Sequence, residues 1–162
     1  MNNLILIGMS GCGKSTVGRR AAELAGAAFA DTDEIIVKKA GKSISEIFAR
    51  DGEKHFRALE EQACAEAAKL EGAVIATGGG VVLNPANLAV LAKSGRIVFI
   101  RRPVEDILAT ADRASRPLFT DEAAVRRLYE RRLPIYTECA DIVLDNADAE
   151  ECAQRLAGLW EK

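Results

Sequence analysis

Short runs of apolar residues recur along the chain, and each is followed by a longer stretch whose apolar positions have helical spacing. The runs are Leu4 to Ile7, Ala27 to Ala30, Ala73 to Ala76, Ile97 to Ile100 and Ile142 to Leu144. Continuous apolar runs of this length are typical of strands that are buried on both faces. Their alternation with helices predicts an α/β fold in which helices wrap a parallel sheet.

Several boundaries of the helices can be predicted from local signals. Capping residues precede three helical stretches: Ser43 with Glu46, Asn84 with Pro85, and Asp148 with Glu151. The segment 51–70 is dense in Ala, Glu, Leu and Lys, which predicts one long helix that ends before Gly72. Pro134 falls inside a helical pattern and predicts a kink or a break. Residues 110–121 lack a clean period, and we expect a mobile lid there.

Length and composition are those of one globular domain over residues 1–162, with 49% hydrophobic and 28% charged residues. No apolar run is long enough to span a bilayer, and no signal-peptide pattern surrounds residues 4–7, so we expect a cytoplasmic protein. The net charge of −2 provides no general attraction to nucleic acid or to an anionic membrane. We expect neither as a partner.

The cysteines do not have the spacing of a metal site. Cys12, Cys64, Cys139 and Cys152 form no CxxC pair, and His55 is the only histidine in the sequence. We therefore expect neither zinc nor disulfides.

The segment GMSGCGKST at 8–16 directly follows the first predicted strand and precedes a helix, and it matches the phosphate-loop pattern GxxxxGK[ST]. Its glycines allow successive backbone N–H groups to point at one site, where the helix also presents the positive end of its dipole. Lys14 would reach the β and γ phosphates of a nucleotide, and the Ser15 hydroxyl would bind Mg²⁺. The predicted ATP-binding residues here are Gly11, Cys12, Gly13, Lys14, Ser15 and Thr16. Cys12 itself is expected to be a small space-filling residue.

Asp31 and Asp33 flank Thr32 at the end of the second predicted strand, the edge at which open α/β sheets bind ligands. On an extended chain the two carboxylates point to the same side. One would order the water shell of Mg²⁺, while the other would accept a hydrogen bond from a substrate hydroxyl. Alternatively, Asp33 is only the N-cap of the following helix.

Arg57 and Glu60 are neighbours on one face of the long predicted helix. An arginine at this position can bind a substrate carboxylate through two parallel hydrogen bonds. The alternative is a solvated ion pair of small energetic value.

Three consecutive glycines, Gly78 to Gly80, follow the third predicted strand. They indicate either positive φ angles or the close approach of a ligand to the backbone, unless they form a simple turn. Arg113 and Arg116 lie in the predicted lid, where arginines can stabilise a transferring phosphate. Arg132 lies one helical turn before Tyr136.

Together these motifs resemble those of the shikimate kinase family, small P-loop enzymes of the nucleoside-monophosphate-kinase type, over nearly the whole chain. The motifs are GMSGCGKST at 8–16, DTD at 31–33, FRALE at 56–60, GGG at 78–80, RPLF at 116–119 and RLPIY at 132–136. The resemblance implies a three-layer α/β/α fold with a five-stranded parallel sheet of order 2-3-1-4-5. It also implies an acceptor-binding part at about 31–60 and a lid at about 110–122.

The implied activity is ATP-dependent phosphorylation of the 3-hydroxyl of shikimate, which gives 3-phosphoshikimate and ADP in the route to chorismate and the aromatic amino acids. Mg²⁺ is the implied cofactor, ATP and shikimate are the implied ligands, and we expect a monomer. Two alternatives are a different small-molecule kinase, such as a gluconate kinase, and a relative that regulates without catalysis. The second would be expected to lack the loop lysine, the acidic pair or the clamp arginines, which are all present.

The resemblance also implies roles for individual residues. Lys14, Asp33 and Arg116 would be catalytic, with Asp33 as the candidate general base and Arg116 acting from the lid on the phosphates. Asp33 would hold the ring hydroxyls, while Asp31 would contact Mg²⁺ through water. The remaining implied contacts are Arg57 and Arg132 with the shikimate carboxylate, Gly78, Gly79 and Gly80 with its ring, and Asn146 with adenine. Lids of this family often carry a further basic residue near their start, where this chain has Ala109 and Thr110, and Arg113 is a candidate substitute.

Overall fold

The computed structural model describes residues 2–110 and 116–161. Its centre is a five-stranded parallel sheet with the order β2-β3-β1-β4-β5. The strands are β1 (Asn3–Ile7), β2 (Ala28–Asp31), β3 (Ala73–Ala76), β4 (Gly95–Arg101) and β5 (Ile142–Asp145). The predicted fold class, parallel pairing and strand order are confirmed, and each predicted apolar run coincides with a strand to within two residues at either end.

Helices connect these strands. Their bounds are α1 (Lys14–Ala25), α2 (Thr32–Ala40), α3 (Ile44–Asp51), α4 (Glu53–Ala67), α5 (Pro85–Ser94), α6 (Val104–Thr110), α7 (Glu122–Cys139) and α8 (Ala149–Ala157), with single 3₁₀ turns at Val81–Leu83 and Gly158–Glu161. The three predicted caps are confirmed, because the side chains of Ser43, Asn84 and Asp148 each accept a hydrogen bond from a backbone N–H in the first turn.

The handedness of the connections determines which helices cover which face. The chain moves in one direction across the sheet from β1 to β2, and in the opposite direction at every later crossover. Because parallel crossovers are right-handed, α1 covers one face and the later helices between strands cover the other. Accordingly, α8 packs against α1, while α5 packs against α4, β1 and β4.

The apolar core is divided into two clusters of different size. The larger cluster surrounds the sheet, in which every residue of β1 is buried. A smaller cluster of Ile36, Ile47, Phe56 and Ala63 lies between α2, α3 and α4. This smaller cluster binds the three helices into a unit between β2 and β3, which we call the acceptor platform (residues 32–67).

Two helix predictions need correction. The helix expected over 51–70 spans only residues 53–67, because Gly52 at φ +85° separates α3 from α4. Of the kink or break predicted at Pro134, the break does not occur, since α7 continues through it as one helix, and the kink stays a prediction. Pro134 lies on an exposed position between the buried side chains of Arg132 and Tyr136, so the missing backbone hydrogen bond lies on the solvent side.

The four cysteines are free thiols, and three of them are buried. Within the ranges that the structure describes, none of the helices combines the length and apolar character needed to cross a bilayer.

Candidate active site

All five strands end at the same edge of the sheet, and each is followed there by a residue with functional potential. The glycine-rich loop follows β1, Asp31 ends β2, Thr77 to Gly80 follow β3, Arg102 follows β4 and Asn146 follows β5. A cavity of about 430 Å³ opens at this edge. The predicted site residues that line it are Gly11, Gly13, Lys14, Ser15, Thr16, Asp33, Arg57, Gly78, Gly79, Gly80, Arg116 and Arg132.

The loop between β1 and α1 is shaped to bind an anion. Gly11 and Gly13 have φ angles of +84° and +96°, in a region that residues with a side chain rarely adopt. Lys14 begins α1 and is only 7% exposed, and its Nζ donates to the carbonyl oxygens of Gly8 at 2.6 Å and Met9 at 3.0 Å. The N–H groups of the first turn and the helix dipole also point into the cavity.

A side chain from the end of β5 supports this loop from behind. Asn146 is buried, and its Nδ2 donates to the carbonyl oxygen of Cys12 at 2.8 Å. Since C=O and the following N–H of one peptide point in opposite directions, this bond turns the N–H of Gly13 away from Asn146. The side chain of Asn146 does not line the cavity, so its predicted contact with adenine stays a prediction. Cys12 is 1% exposed, as expected for a space-filling residue.

Ser15 and Asp31 meet at the base of the cavity. The Ser15 hydroxyl donates to Asp31 Oδ2 at 2.5 Å, and Asp31 Oδ1 accepts from the backbone N–H of Asp33 at 2.9 Å. Asp31 is thus the N-cap of α2, and the alternative that Asp33 is the cap is wrong. Asp33 is the second residue of α2, so the two carboxylates do not share an extended strand as predicted.

The neighbouring hydroxyl and carboxylate fit a magnesium ion. Mg²⁺ prefers oxygen ligands, and proteins commonly bind it through one or two carboxylates together with water and phosphate oxygens. In residues 2–110 and 116–161, no three His, Cys, Asp or Glu side chains are grouped closely enough to hold a metal alone. A magnesium ion beside Ser15 and Asp31 would therefore take most of its ligands from water and the nucleotide.

Asp33 has an unusual environment for a carboxylate. Its Oδ1 is buried and accepts no hydrogen bond from any described residue. Burial raises the pKa of Asp33 to about 7, with further contributions from the charges of Asp31 and Glu60, whereas Lys14 and Arg116 oppose the shift. A carboxylate with a pKa near neutrality is suited to accept a proton from a hydroxyl.

Glu60 positions Arg57 at the side of the cavity. Arg57 Nη1 donates to Glu60 Oε1 at 2.9 Å, and Arg57 Nη2 donates to Glu53 Oε1 at 3.3 Å. Glu60 is 1% exposed, so this is not the solvated pair that the sequence left open. Burial raises the pKa of Glu60, against the lowering effect of Arg57 and Arg132. The buried carboxylate fixes the guanidinium where a ligand can reach it.

The three glycines after β3 are required by close packing and not by positive φ angles, which none of them has. A Cβ added to Gly78 would lie 2.9 Å from Asp33 Oδ1 and 3.0 Å from Glu60 Oε2. The groups that approach this backbone are side chains of the protein, so the predicted close approach of a ligand stays a prediction. The backbone N–H of Gly78 also donates to Thr32 Oγ1 at 3.1 Å, which ties the turn to the start of α2.

Basic side chains approach the other two glycines. A Cβ at Gly79 would lie 3.2 Å from Arg132 Nη1, and a Cβ at Gly80 would lie 2.8 Å from Arg57 Cζ. Tyr136 is buried, and its hydroxyl donates to the carbonyl oxygen of Gly79 at 2.5 Å. Helix α7 thus holds the glycine turn with Tyr136 and presents Arg132 to the same turn.

The described part of the predicted lid contributes Arg116. This residue lines the cavity and begins a turn in which Phe119 N donates to Arg116 O at 3.0 Å. Its guanidinium carbon lies 5.9 Å from the centre of the Phe119 ring. Arg113 lies outside the described residues, and its predicted role stays a prediction.

The contacts of two residues at the site could not be predicted, or were not predicted, from the sequence. The hydroxyl bond of Tyr136 joins residues 57 positions apart and has no local signal. Arg102 lines the cavity directly after β4, and the rule that ligands bind where parallel strands end would have identified it.

Comparisons with known proteins give a consistent result. The family model described as shikimate kinase matches residues 10–158. A shikimate kinase of Caldanaerobacter subterraneus subsp. tengcongensis is 42% identical over 168 aligned positions, covering 100% of this chain and 98% of that protein. A shikimate kinase of Pseudomonas entomophila is 42% identical over 149 positions, covering 90% of this chain and 87% of that protein.

Solved structures agree with the sequence matches. The shikimate kinase from Acinetobacter baumannii in complex with shikimate superposes with a TM-score of 0.93 at 35% identity, covering 99% of this chain and 93% of that chain. The shikimate kinase from Aquifex aeolicus superposes with a TM-score of 0.85 at 34% identity, covering 98% of this chain and 96% of that chain. These matches give no support to a gluconate kinase.

Proposed function

The chain belongs to the shikimate kinase family, and we propose that the cavity at the carboxyl edge of its sheet performs the family's reaction with the residues described above. That reaction is the ATP-dependent phosphorylation of the 3-hydroxyl of shikimate, which yields 3-phosphoshikimate and ADP. The observation that carries the assignment of residues is the convergence of Asp33, Arg132 and Arg57 on three successive glycines opposite the phosphate loop.

Recognition of shikimate begins with its carboxylate. Arg57 and Arg132 both reach the glycine turn, and a carboxylate between them can accept charge-assisted hydrogen bonds from each. The buried Glu60 limits the positions that Arg57 can adopt. The ring hydroxyls then lie toward Asp33, whose Oδ1 has an unused acceptor site within the described structure. Backbone groups of residues 78–80 complete this acceptor site.

The phosphate loop and Lys14 hold the triphosphate. Lys14 Nζ donates to two carbonyl oxygens of the loop, and the oxygens of a bound phosphate would take the place of these acceptors. The Ser15 hydroxyl and, through water, Asp31 would hold Mg²⁺, which would neutralise charge on the β and γ phosphates. Arg116 adds positive charge from the lid side, where negative charge develops during transfer.

Asp33 accepts the proton of the 3-hydroxyl as the oxygen attacks the γ phosphorus. The bond from that phosphorus to the β–γ bridging oxygen breaks, and ADP leaves with the electron pair. Because Asp33 titrates near neutrality, it is substantially ionised at physiological pH and can still hold the proton once it is transferred. The arrangement works chiefly by positioning the two substrates and by stabilising charge.

The physiological setting is proposed on the sequence. We propose a cytoplasmic monomer that acts on small molecules, and the net charge of −2 supports this in providing no general attraction to nucleic acid or to an anionic membrane. Sedimentation or light scattering of the purified chain measures the oligomeric state directly.

The proposed function is tested by ADP release from Mg-ATP with shikimate, gluconate, AMP or no acceptor, each in a separate reaction. We expect turnover with shikimate alone and a product phosphorylated at the 3-hydroxyl. Turnover with another acceptor and not with shikimate would contradict the acceptor assignment, and tight ATP binding with no turnover would indicate a regulatory protein.

Replacing Arg57 tests the placement of the two substrates. We expect Arg57→Ala to lower kcat/KM for shikimate at least about 100-fold, because the carboxylate loses a charged partner, with KM for ATP within about threefold of the parent value. Arg50→Ala, at an exposed position on α3, is the control and should change neither value. Equal losses for shikimate and ATP would show that the acceptor site is misplaced.

A further inference from the structure

Arg102 occupies a fixed position beside the phosphate loop that the reaction described above does not use. It is the first residue after β4, and its side chain lines the cavity. Its Nη1 donates to the carbonyl oxygen of Gly11 at 2.9 Å and to the Thr110 hydroxyl at 2.8 Å. The Thr110 hydroxyl donates in turn to the carbonyl oxygen of Asp106, and the Tyr129 hydroxyl donates to the carbonyl oxygen of Arg102. Both ends of this arginine are therefore held in place.

The guanidinium of Arg102 has more N–H donors than it has acceptors among the described residues. An arginine has five N–H groups, and the two on Nη1 of Arg102 have acceptors in Gly11 and Thr110. The other three, on Nε and Nη2, donate to no residue in the described ranges, and no carboxylate there pairs with this side chain. The adjacent Arg101 differs, because its Nε and Nη2 both donate to Asp145 at the exposed surface.

We propose that Arg102 is a nucleotide-binding residue whose Nε and Nη2 donate to two oxygens of one phosphate group of ATP or ADP. The proposal rests on the proposed function, since it takes the loop beside Gly11 as the nucleotide site. The paired N–H groups of a guanidinium match the spacing of two phosphate oxygens. The carboxylate of shikimate is not the proposed partner, because it is assigned to Arg57 and Arg132, which approach Gly80 and Gly79, whereas Arg102 donates to the carbonyl oxygen of Gly11.

Binding measurements without an acceptor test this contact. Titration calorimetry is carried out with Mg-ADP, Mg-tripolyphosphate and adenosine on the parent, on Arg102→Gln and on the control Arg101→Gln. For Arg102→Gln we expect the Kd of ADP and of tripolyphosphate to rise by the same factor, at least about tenfold, with the Kd of adenosine unchanged. For Arg101→Gln we expect all values within twofold of the parent, because that side chain faces Asp145.

Two results would overturn the proposal. The first is an ADP affinity of Arg102→Gln within twofold of the parent. The second is a loss for ADP and adenosine without a loss for tripolyphosphate, which would assign Arg102 to the base or ribose. If the parent binds ADP normally but does not phosphorylate shikimate, the proposed function fails while the Arg102 contact is still measured.

Two further measurements distinguish the proposed phosphate contact of Arg102 from a purely structural role in holding the Gly11 carbonyl. The melting temperature of ligand-free Arg102→Gln should stay within about 2 °C of the parent, while the increase produced by ADP becomes smaller. Arg102→Lys keeps a positive charge and one donor for Gly11 but lacks the paired N–H groups, so we expect it to recover only part of the affinity. Full recovery with lysine, or a marked loss of stability without ligand, would overturn the two-oxygen contact.

Discussion

At Asp33, a carboxylate oxygen is buried beside the side chains of Asp31 and Glu60 and has no hydrogen-bond donor among the described residues. Such an oxygen is costly to bury in its charged form, and this cost appears as a raised pKa. In the proposed function, a substrate hydroxyl would supply the donor that the described residues lack. Substrate binding would then relieve the unfavourable burial of this oxygen and gain affinity from it.

The raised pKa of Asp33 determines the direction in which the stability of the folded protein changes with pH. The pKa of Asp33 is about 7 in the folded protein and near 4 in an unfolded chain, so the folded state binds the proton more tightly. Stability contributed by the protonated form is present below about pH 4 and is lost as the pH rises through 7. We expect ligand-free Asp33→Asn to be more stable than the parent at pH 8, by an amount of the order of 3 kcal/mol, and the difference to shrink toward pH 5. Urea denaturation of both proteins between pH 5 and pH 8 measures this.

The same residue should control the pH dependence of activity. We expect kcat/KM for shikimate in the parent to rise with pH through about 7 and Asp33→Asn to lose at least about 100-fold in kcat. Asp106→Asn, at an exposed position on α6, is the control for both experiments. A stability difference that does not vary with pH would contradict the assigned environment of Asp33.

Sequence patterns predict well which residues belong to the candidate site, but they predict poorly how buried those residues are and what they contact. Lys14 is identified by spacing in a motif, and Arg57 by its place in the FRALE segment. In contrast, the burial of Glu60 and the bond from Tyr136 to Gly79 depend on elements that are distant in the chain. No local pattern reports which carboxylate will lack a donor, because that depends on the packing of three elements around it.

Among the elements, the glycine turn after β3 shows how a short segment can be fixed by its surroundings. A Cβ added to these glycines would lie 3.2 Å or less from side chains of α2, α4 and α7, closer than Cβ contacts normally are. The sequence alone offers positive φ angles, close approach of a ligand or a simple turn as reasons for three glycines, and the structure excludes the first. Likewise, capping residues predict three helix starts, whereas the separation of α3 and α4 at Gly52 required a backbone angle that composition does not reveal.

Adding a single methyl group to this turn should damage the acceptor site selectively. A Cβ at Gly80 would overlap the guanidinium of Arg57, so Gly80→Ala must displace that arginine. We expect KM for shikimate to rise at least about tenfold and the affinity for ADP to stay within twofold. Steady-state kinetics and calorimetry measure the two effects.

A second glycine provides the matched control for this prediction. Gly158 has no atom within 4 Å of an added Cβ and has φ −64°, which alanine adopts readily. Gly158→Ala should leave both affinities unchanged and alter stability by no more than about 1 kcal/mol. Equal effects of the two substitutions would mean that contact with Arg57 is not the cause.

In the whole molecule, the phosphate loop and the acceptor platform pack against apolar clusters of different size. The phosphate loop is attached to β1, which is buried throughout in the larger cluster. In the acceptor platform, α2 and α3 contribute their buried residues Ile36 and Ile47 to the smaller cluster, whereas α4 contributes to both clusters. Regions with fewer buried apolar contacts open more readily, so stability should differ along the chain.

Hydrogen exchange followed by mass spectrometry should detect this difference. We expect the amides of α2 and α3 to exchange faster than those of β1 and β4 in the ligand-free protein. Shikimate should slow exchange in residues 32–67, whereas ADP should slow it mainly in residues 8–25. Gluconate serves as the control acceptor and should protect neither region. Exchange in α2 and α3 as slow as in β1 would contradict an independent weakness of the platform.

The order of the strands separates the residues proposed to bind the acceptor from those that form and support the phosphate loop. The glycine turn after β3 and the platform after β2 bear the proposed acceptor site, and the ends of β1, β4 and β5 bear the phosphate loop and its supports. Asp31, at the end of β2, joins the two parts through its bond with Ser15. The platform is one continuous insertion between β2 and β3, with its own small core. Substitutions confined to residues 32–67 would therefore change part of the proposed acceptor site and leave the phosphate loop in place. Arg132 and residues 78–80 would still face the acceptor from outside the platform, so a change of substrate would have to suit these fixed groups.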